Sequence, residues 1–128
     1  MTILLDTHAF LWFVGADDRL SKKAVAAMKN ESNAIVLSVA SVWEMAIKAG
    51  LGKLRLPQSV ESFVPQQMQL NMIGQLGIDF RHAARVEGLP PHHADPFDRL
   101  LVAQALTEGF PILSADPAFD AYGVQRIW

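Results

Sequence analysis

Cysteine is absent from the 128-residue sequence, so disulfides and thiolate metal sites are excluded and only histidine and carboxylate side chains remain as metal ligands. This absence is compatible with a reducing cytoplasm. No apolar run reaches the roughly 18 residues that a membrane-spanning helix requires. Asp6 interrupts the first hydrophobic residues too early for the core of a signal peptide. We therefore expect a cytoplasmic protein that does not associate with a membrane.

The sequence also lacks a large excess of either charge, with 11 Lys and Arg residues against 13 Asp and Glu residues and a net charge of −2. This balance gives little support to nucleic-acid binding through a generally basic surface. If four carboxylates bind metal, however, the rest of the molecule carries a small positive charge, so net charge decides little. Hydrophobic residues make up 51% of the chain, which predicts a single globular domain over residues 1–128.

Short apolar segments alternate with helical patterns along the chain. The predicted strands are residues 3–5, 34–37, 72–76, 111–113 and 124–127. The predicted helices are residues 8–14, 21–29, 41–49, 59–70 with an interruption at Pro65, 79–86 and a segment around 98–105, followed by a helical turn at 115–119. Ser41 and Glu44 match a capping box, which predicts that the third helix begins at Ser41. This alternation indicates an α/β fold whose parallel sheet is covered by helices on both faces.

The segment HADPFDRLLVAQA, residues 93–105, places a carboxylate among apolar residues. If Asp98 opens a helix, the residues three, four and seven positions later share its face, and these are Leu101, Val102 and Ala105. An ionised carboxylate in such a stripe is costly unless it has a partner. Arg99 points about 100° around the helix from Asp98 and cannot easily pair with it. The sequence therefore favours a metal ion or a distant basic residue as the partner of Asp98. The alternative is that Asp98 only interacts with the dipole at the helix N-terminus.

Three further acids follow predicted strands. Asp6 comes directly after the first strand, Glu44 lies one turn into the helix after the second, and Asp116 follows the strand at 111–113. Because ligands bind at the carboxyl ends of parallel strands, these acids and Asp98 are expected to converge. A purely carboxylate site favours Mg²⁺, which polarises a phosphodiester and lowers the pKa of a bound water. The alternatives are local: a helix cap for Asp6, a capping box for Glu44 and an Asx turn for Asp116.

Four segments taken together, LLDTH, SVWEMAIK, HADPFDRLLVAQA and LSADPAF, resemble a PIN-domain ribonuclease, specifically the VapC-type toxin of a type II toxin–antitoxin pair. The resemblance implies a three-layer PIN-like fold with a mostly parallel sheet of about five strands. It also implies RNA cleavage dependent on Mg²⁺ or Mn²⁺, homodimerisation and neutralisation by a cognate antitoxin. The metal site and catalytic residues implied by position are Asp6, Glu44, Asp98 and Asp116.

The resemblance also assigns roles to neighbours of these acids. Thr7 and Ser114 match small hydroxyl positions that support the site or position water. In the family, alanines of the following helix lie five and seven residues after the third acid. Ala103 and Ala105 stand at those distances after Asp98, which selects Asp98 over Asp95. Asp95 is a feature of the HxDPFDR pattern and is expected to orient His93 or Arg99, or to join the acidic rim.

Other polar and aromatic residues have two interpretations. His8 is expected to pack behind the site or contact substrate rather than act as a general base. The basic residues either guide RNA phosphates or are solvated surface cations, and these are Lys48, Lys53, Arg55 and Arg99. His92 and His93 are interpreted as loop residues rather than metal ligands. Trp12 and Trp43 are expected in the core rather than in base stacking, and Trp128 is expected to cap the sheet.

Two other classes of function remain open from the sequence. A Mg²⁺-dependent phosphotransfer or phosphatase domain uses a similar acidic edge, but its phosphohydrolase form requires an acid at position 8, where this chain has His8. Its receiver form requires a late lysine, and no lysine follows Lys53. A non-catalytic binding module is disfavoured because it has no reason to keep four like charges together.

Overall fold

A five-stranded sheet forms the centre of the fold in the computed structural model, which describes all 128 residues. The strands are β1 (Thr2–Leu5), β2 (Ala34–Ser38), β3 (Ile73–Leu76), β4 (Ile112–Leu113) and β5 (Arg126–Ile127). Their order is β3-β2-β1-β4-β5, and every neighbouring pair is parallel. The predicted α/β architecture is confirmed, and the sheet is entirely rather than mostly parallel.

Six α-helices and two short 3-10 helices connect and cover these strands. The α-helices are α1 (Thr7–Val14), α2 (Lys22–Lys29), α3 (Val39–Gly50), α4 (Val60–Leu70), α5 (Phe80–Arg85) and α6 (Pro96–Glu108). The 3-10 helices are Val86–Gly88 and Pro117–Tyr122. None of the α-helices combines the length and the apolar character needed to cross a membrane.

The central strand β1 is buried on both faces, which explains its uninterrupted apolar sequence. Ile3 and Leu5 belong to a cluster with Phe10 of α1 and Met45 of α3. Leu4 belongs to a second cluster, whose other members include Leu101, Val102, Ile112 and Phe119. Successive side chains of a strand point to opposite faces, so this alternation divides the core into two layers around the sheet. The three-layer arrangement follows directly from it.

The start of α3 corrects the sequence prediction. Ser38, the last residue of β2, is the N-cap, and its Oγ accepts a hydrogen bond from the Ala40 amide at 3.0 Å. Ser41 therefore lies inside the helix and does not form the predicted capping box with Glu44. The strand runs directly into the helix, so the cap is supplied by the strand residue rather than by the later serine.

Helix α6 begins before Asp98, the residue considered as its start. Asp95 is its N-cap, with Oδ1 accepting from the Phe97 amide at 2.7 Å, and Pro96 is the first helical residue. Asp98 consequently lies in the first turn rather than at the start. Gly109 ends the helix with φ of 72°, a left-handed conformation that glycine adopts without a Cβ penalty.

Helix α4 is continuous through Pro65, so the predicted interruption is wrong. Ser59, the first residue of the predicted helix, is its N-cap and accepts from the Ser62 amide at 3.3 Å. Pro65 is exposed, and its ring lies on the solvent side of a helix whose Phe63 and Val64 pack against the core. Burial of that apolar face compensates for the hydrogen bond that a proline removes from a helix.

Candidate active site

Three of the predicted acids line one cleft at the carboxyl edge of the sheet. Asp6 follows β1 and Asp116 follows β4, and the two strands are paired neighbours. The Asp6 amide donates to the Leu113 carbonyl at 3.1 Å, which fixes the ends of both strands together. The first turn of α6 supplies Asp98 to the same cleft of about 310 Å³. Carboxylates from distant parts of the sequence therefore meet, as the strand pattern predicted.

Asp98 and Asp116 lie near a histidine that the sequence analysis assigned only to a loop. One carboxylate oxygen from each acid and one ring nitrogen of His93 lie within 4.8 Å of one another. His93 Nε2 lies 2.9 Å from Asp116 Oδ2, and its Nδ1 lies 3.2 Å from the Tyr122 hydroxyl. The same hydroxyl accepts from the His93 amide at 2.8 Å. Tyr122 therefore fixes His93, and His93 in turn orients Asp116.

Asp6 combines a position in the cleft with the role of helix cap. Its Oδ1 accepts from the Ala9 amide at 2.7 Å and thereby caps α1. Burial raises the pKa of Asp6 above its ordinary value, and repulsion from Asp116 acts in the same direction. Hydrogen bonds from Ser114 and Ala9 and the nearby His8 oppose this rise. Ser114 thus supports Asp6, and its Oγ also accepts from the Asp116 amide at 3.0 Å.

The carboxyl of Asp98 also lies in an unfavourable electrostatic environment. Burial is the largest cause that raises its pKa to about 6, and repulsion from Asp95, Glu44 and Asp6 adds to it against attraction by His93. Neither a lysine nor an arginine pairs with it. Asp98 therefore contributes negative charge to the cleft without an ion-pair partner.

Asp116 behaves differently. Burial by itself would raise its pKa, but the Ala118 amide, the His93 ring and Arg126 together lower the pKa below its ordinary value. The Ala118 amide donates to Asp116 Oδ1 at 2.9 Å, so the predicted Asx-type turn is present as well. Asp116 is consequently the acid that is most readily ionised.

Glu44 is buried at the side of this group and is held by other side chains. The Thr7 hydroxyl donates to Glu44 Oε1 at 2.6 Å, and Lys48 Nζ donates to Oε2 at 2.6 Å. The Thr7 hydroxyl also lies 2.9 Å from that of Ser41. Glu44 is near enough to raise the pKa of Asp98, but Glu44, like Asp6, is not part of the group of ligand atoms within 4.8 Å. The side chains of Lys48 and Thr7 form hydrogen bonds with Glu44 and none with the three acids in the cleft.

Arg99 has a different role from the predicted substrate contact. Its guanidinium donates to the carbonyls of Pro90, Val86 and Leu89 at 3.0, 3.2 and 3.2 Å. These bonds anchor α6 to the loop that carries His93. The Asp95 side chain forms no hydrogen bond with His93 or Arg99, so the expectation that it orients either one is not met, whereas its charge does reach Asp98.

The aromatic residues near the cleft divide between core and surface. Trp12 packs against the larger core cluster, and its ring centroid lies 5.6 Å from that of His8 and 5.8 Å from that of Trp128. Trp43 is 56% exposed, so the prediction that it lies in the core is wrong. It packs edge-on against Phe97 at 5.2 Å instead.

A second group of acid and histidine side chains joins α5 to α6 and is distant in sequence from the cleft. His82 Nε2 lies 2.8 Å from Glu108 Oε1, and His82 Nδ1 accepts from the Asp79 amide at 3.1 Å. Arg81 donates to both carboxylates at 2.9 and 2.8 Å. Because protein groups already satisfy the histidine and both acids, this cluster is a structural connection between the two helices.

Comparison with known proteins identifies the family. The model of the PIN domain matches residues 3–125 of the chain. The chain belongs to the PIN-domain family. Among its relatives, Ribonuclease VapC22 of Mycobacterium tuberculosis is 30% identical over 90% of the chain and 87% of that protein. Ribonuclease VapC16 of the same organism is 40% identical, but that match covers 56% of the chain and about half, 55%, of the relative.

The architecture of this PIN domain is also found among solved structures. The structure of VapBC2 from Rickettsia felis bound to a promoter DNA fragment covers 100% of both chains with a TM-score of 0.69. The sequence identity is 12%, so the likeness concerns the fold. The family assignment rests on the sequence comparisons, and the solved structure shows that the fold is shared.

Proposed function

We propose that this PIN domain is a divalent-metal-dependent endoribonuclease that acts as the toxin of a VapC-type toxin–antitoxin pair. The observation that carries the proposal is the convergence of Asp6, Asp98 and Asp116 in one cleft, where none of the three forms an ion pair with a lysine or an arginine. The names of the two relatives, both called ribonucleases, support RNA as the substrate.

The donor set fits a hard divalent cation, Mg²⁺ or Mn²⁺. Such ions prefer oxygen ligands, and the cleft offers carboxylate oxygens from Asp6, Asp98 and Asp116, with Glu44 as the predicted fourth acid. The raised pKa values of Asp6 and Asp98 indicate negative charge that a cation would stabilise. When bound, a divalent ion polarises a phosphodiester and lowers the pKa of a coordinated water.

The protein's own contribution in this proposal is to hold the acids in position. The Ala9 amide and Ser114 hold Asp6, and the rigid loop anchored by Arg99 carries His93 to Asp116. Lys48 neutralises Glu44, which limits repulsion around Asp98. Hydrogen bonds from fixed neighbours orient metal-binding carboxylates and are known to affect metal affinity.

The proposal includes two protein partners, a cognate antitoxin and a second copy of the chain. Both come from the resemblance to VapC-type toxins. The structure supports a protein contact on α3, where Trp43, Ile47 and Leu51 are 56%, 39% and 65% exposed at a spacing of four residues. Exposed apolar residues on one helix face are typical of interfaces. Light scattering of the purified protein measures whether it is a dimer.

The direct test is cleavage of RNA by the purified protein in Mg²⁺ or Mn²⁺. We expect Asp6→Asn and Asp98→Asn each to abolish cleavage and to relieve growth arrest, while circular dichroism shows an intact fold. Asp18→Asn, which changes an exposed acid outside the cleft, is the matched control and should remain active. Undiminished cleavage by the double variant would falsify the proposal. Sequencing RNA 5′ ends after induced expression identifies the target.

A further inference from the structure

A second cleft, of about 520 Å³, adjoins the acidic cleft. His8 and Trp12 line both, so the two spaces adjoin along one turn of α1. Its other walls are the C-terminal half of α3 and the loop of residues 53–57. We call this space the basic cleft because of the side chains on that loop.

Lys53 and Arg55 project from the loop as unpaired cations. Both are exposed, and neither forms an ion pair or a side-chain hydrogen bond with another residue. Leu54 and Leu56 alternate with them and pack against the core. The alternation sends apolar side chains inward and positive charges outward.

The position of this loop relative to the acids is fixed. The amides of Lys53 and Leu54 both donate to the Lys48 carbonyl, at 2.8 and 3.2 Å. The side chain of Lys48 pairs in turn with Glu44, so one residue connects the loop to the acidic group. Lys48 also lines the basic cleft, but Glu44 balances its charge, so Lys53 and Arg55 supply the unpaired positive charge.

The floor of the basic cleft is apolar. Leu11 of α1, Met45 of α3 and Phe63 of α4 form it together with the inward leucines of the loop. The acid on its rim, Asp17, is already neutralised by Arg19 at 2.7 Å. An apolar floor under a positive rim is complementary to a flat base attached to a phosphate.

We propose that the basic cleft binds the nucleotide next to the scissile phosphate of a single-stranded RNA. Lys53 and Arg55 contact its phosphate, and the base lies on the apolar floor. Adjacency to the acidic cleft and charge complementarity favour RNA over a peptide occupant. The inference rests on the proposed function, because it names the substrate segment for the same site.

The test measures binding separately from cleavage. A fluorescent single-stranded RNA of about ten nucleotides, long enough for such sites, is titrated with protein in EDTA and followed by anisotropy. We expect Lys53→Gln with Arg55→Gln to weaken binding about 10-fold or more and to reduce the dependence of log K on log salt by about 0.7 per lost phosphate contact. Lys23→Gln with Arg85→Gln removes the same charge from exposed residues outside the cleft and should bind as the wild-type protein does.

The outcomes separate this inference from the proposed function. Weaker RNA binding by the cleft variant alone supports the basic cleft, even if the wild-type protein shows no nuclease activity. Equal affinities for both double variants, in a protein that cleaves RNA, overturn the inference and leave the function intact. A fluorescent oligoglutamate peptide is titrated in the same way with the wild-type protein and with the Lys53→Gln, Arg55→Gln variant. If the variant binds this peptide more weakly but binds RNA as the wild type does, the occupant is an acidic peptide and the RNA assignment is wrong.

Discussion

Replacing Asp98 by Asn should stabilise the metal-free protein at neutral pH while it removes the proposed activity. The substitution keeps the shape of the side chain and removes a charge that the fold disfavours. Burial, and then repulsion from Asp95, Glu44 and Asp6, raises the pKa of Asp98 from its ordinary value of 3.8 to about 6. An acid whose pKa is raised by folding weakens the folded state once it ionises.

The size of the effect follows from that pKa. At about 1.36 kcal/mol per pKa unit, ionisation of Asp98 lowers the free energy of unfolding by about 3 kcal/mol at pH 7. The carboxyl is only partly buried, so solvent screening reduces the expected gain of the variant to about 1–2 kcal/mol. Below pH 3.8 the acid is protonated in both the folded and the unfolded state, and stability is lost as the pH rises from there to about 6. At a pH of about 4.5, the difference in the free energy of unfolding between the variant and the wild type should be about a third of the difference at pH 7.

The assay is urea unfolding of the wild-type protein and the variant in EDTA at both pH values. Asp18→Asn is the control for removal of an exposed acid and should match the wild-type protein. A variant that is less stable than the wild type at pH 7, or a difference that does not narrow with acidification, would refute the electrostatic account of the cleft.

Three further outcomes are expected. Chelation of the metal by EDTA should eliminate RNA cleavage. Mg²⁺ at 100 times its Kd should increase the free energy of unfolding by about 2.7 kcal/mol, and a free energy of unfolding that does not change with Mg²⁺ would contradict the metal site. His93→Ala should weaken Mn²⁺ affinity about 10-fold to 100-fold in calorimetry, because Asp116 loses its hydrogen-bond partner; equal affinity would show that His93 does not position it. Leu101→Ala should lower the free energy of unfolding by about 2–5 kcal/mol, since Leu101 is 1% exposed, and a loss below 1 kcal/mol would mean that this site collapses around the cavity.

The sheet was predictable because its strands are covered on both faces. Such strands carry short uninterrupted apolar runs, and the run at Ile3 to Leu5 is fully buried between two core clusters. The carboxyl edge of a parallel sheet then determined where Asp6 and Asp116 lie, without knowledge of any distance. The placement of these two acids therefore required only strand positions and sheet type.

Details that depend on three-dimensional neighbours were not predictable. Ser38 and Ser41 are equally good helix caps by residue type, and only the direct passage from β2 into α3 selects Ser38. Likewise, nothing in a His pair after two prolines shows that His93 reaches Asp116, since Tyr122 fixes it from 29 residues away. The adjacency of His93 to the HxDPFDR acids was the one signal that pointed to the site.

The pairing of β1 with β4 has a consequence for when the protein becomes active. Asp6 emerges early in synthesis, but Asp116 reaches it only after residues 112–113 have been added beside β1. A ribosome still translating the chain therefore carries a nascent polypeptide whose acidic centre is unfinished. On the proposed function, the chain gains nuclease activity only after Asp116 has been synthesised and β4 has paired with β1.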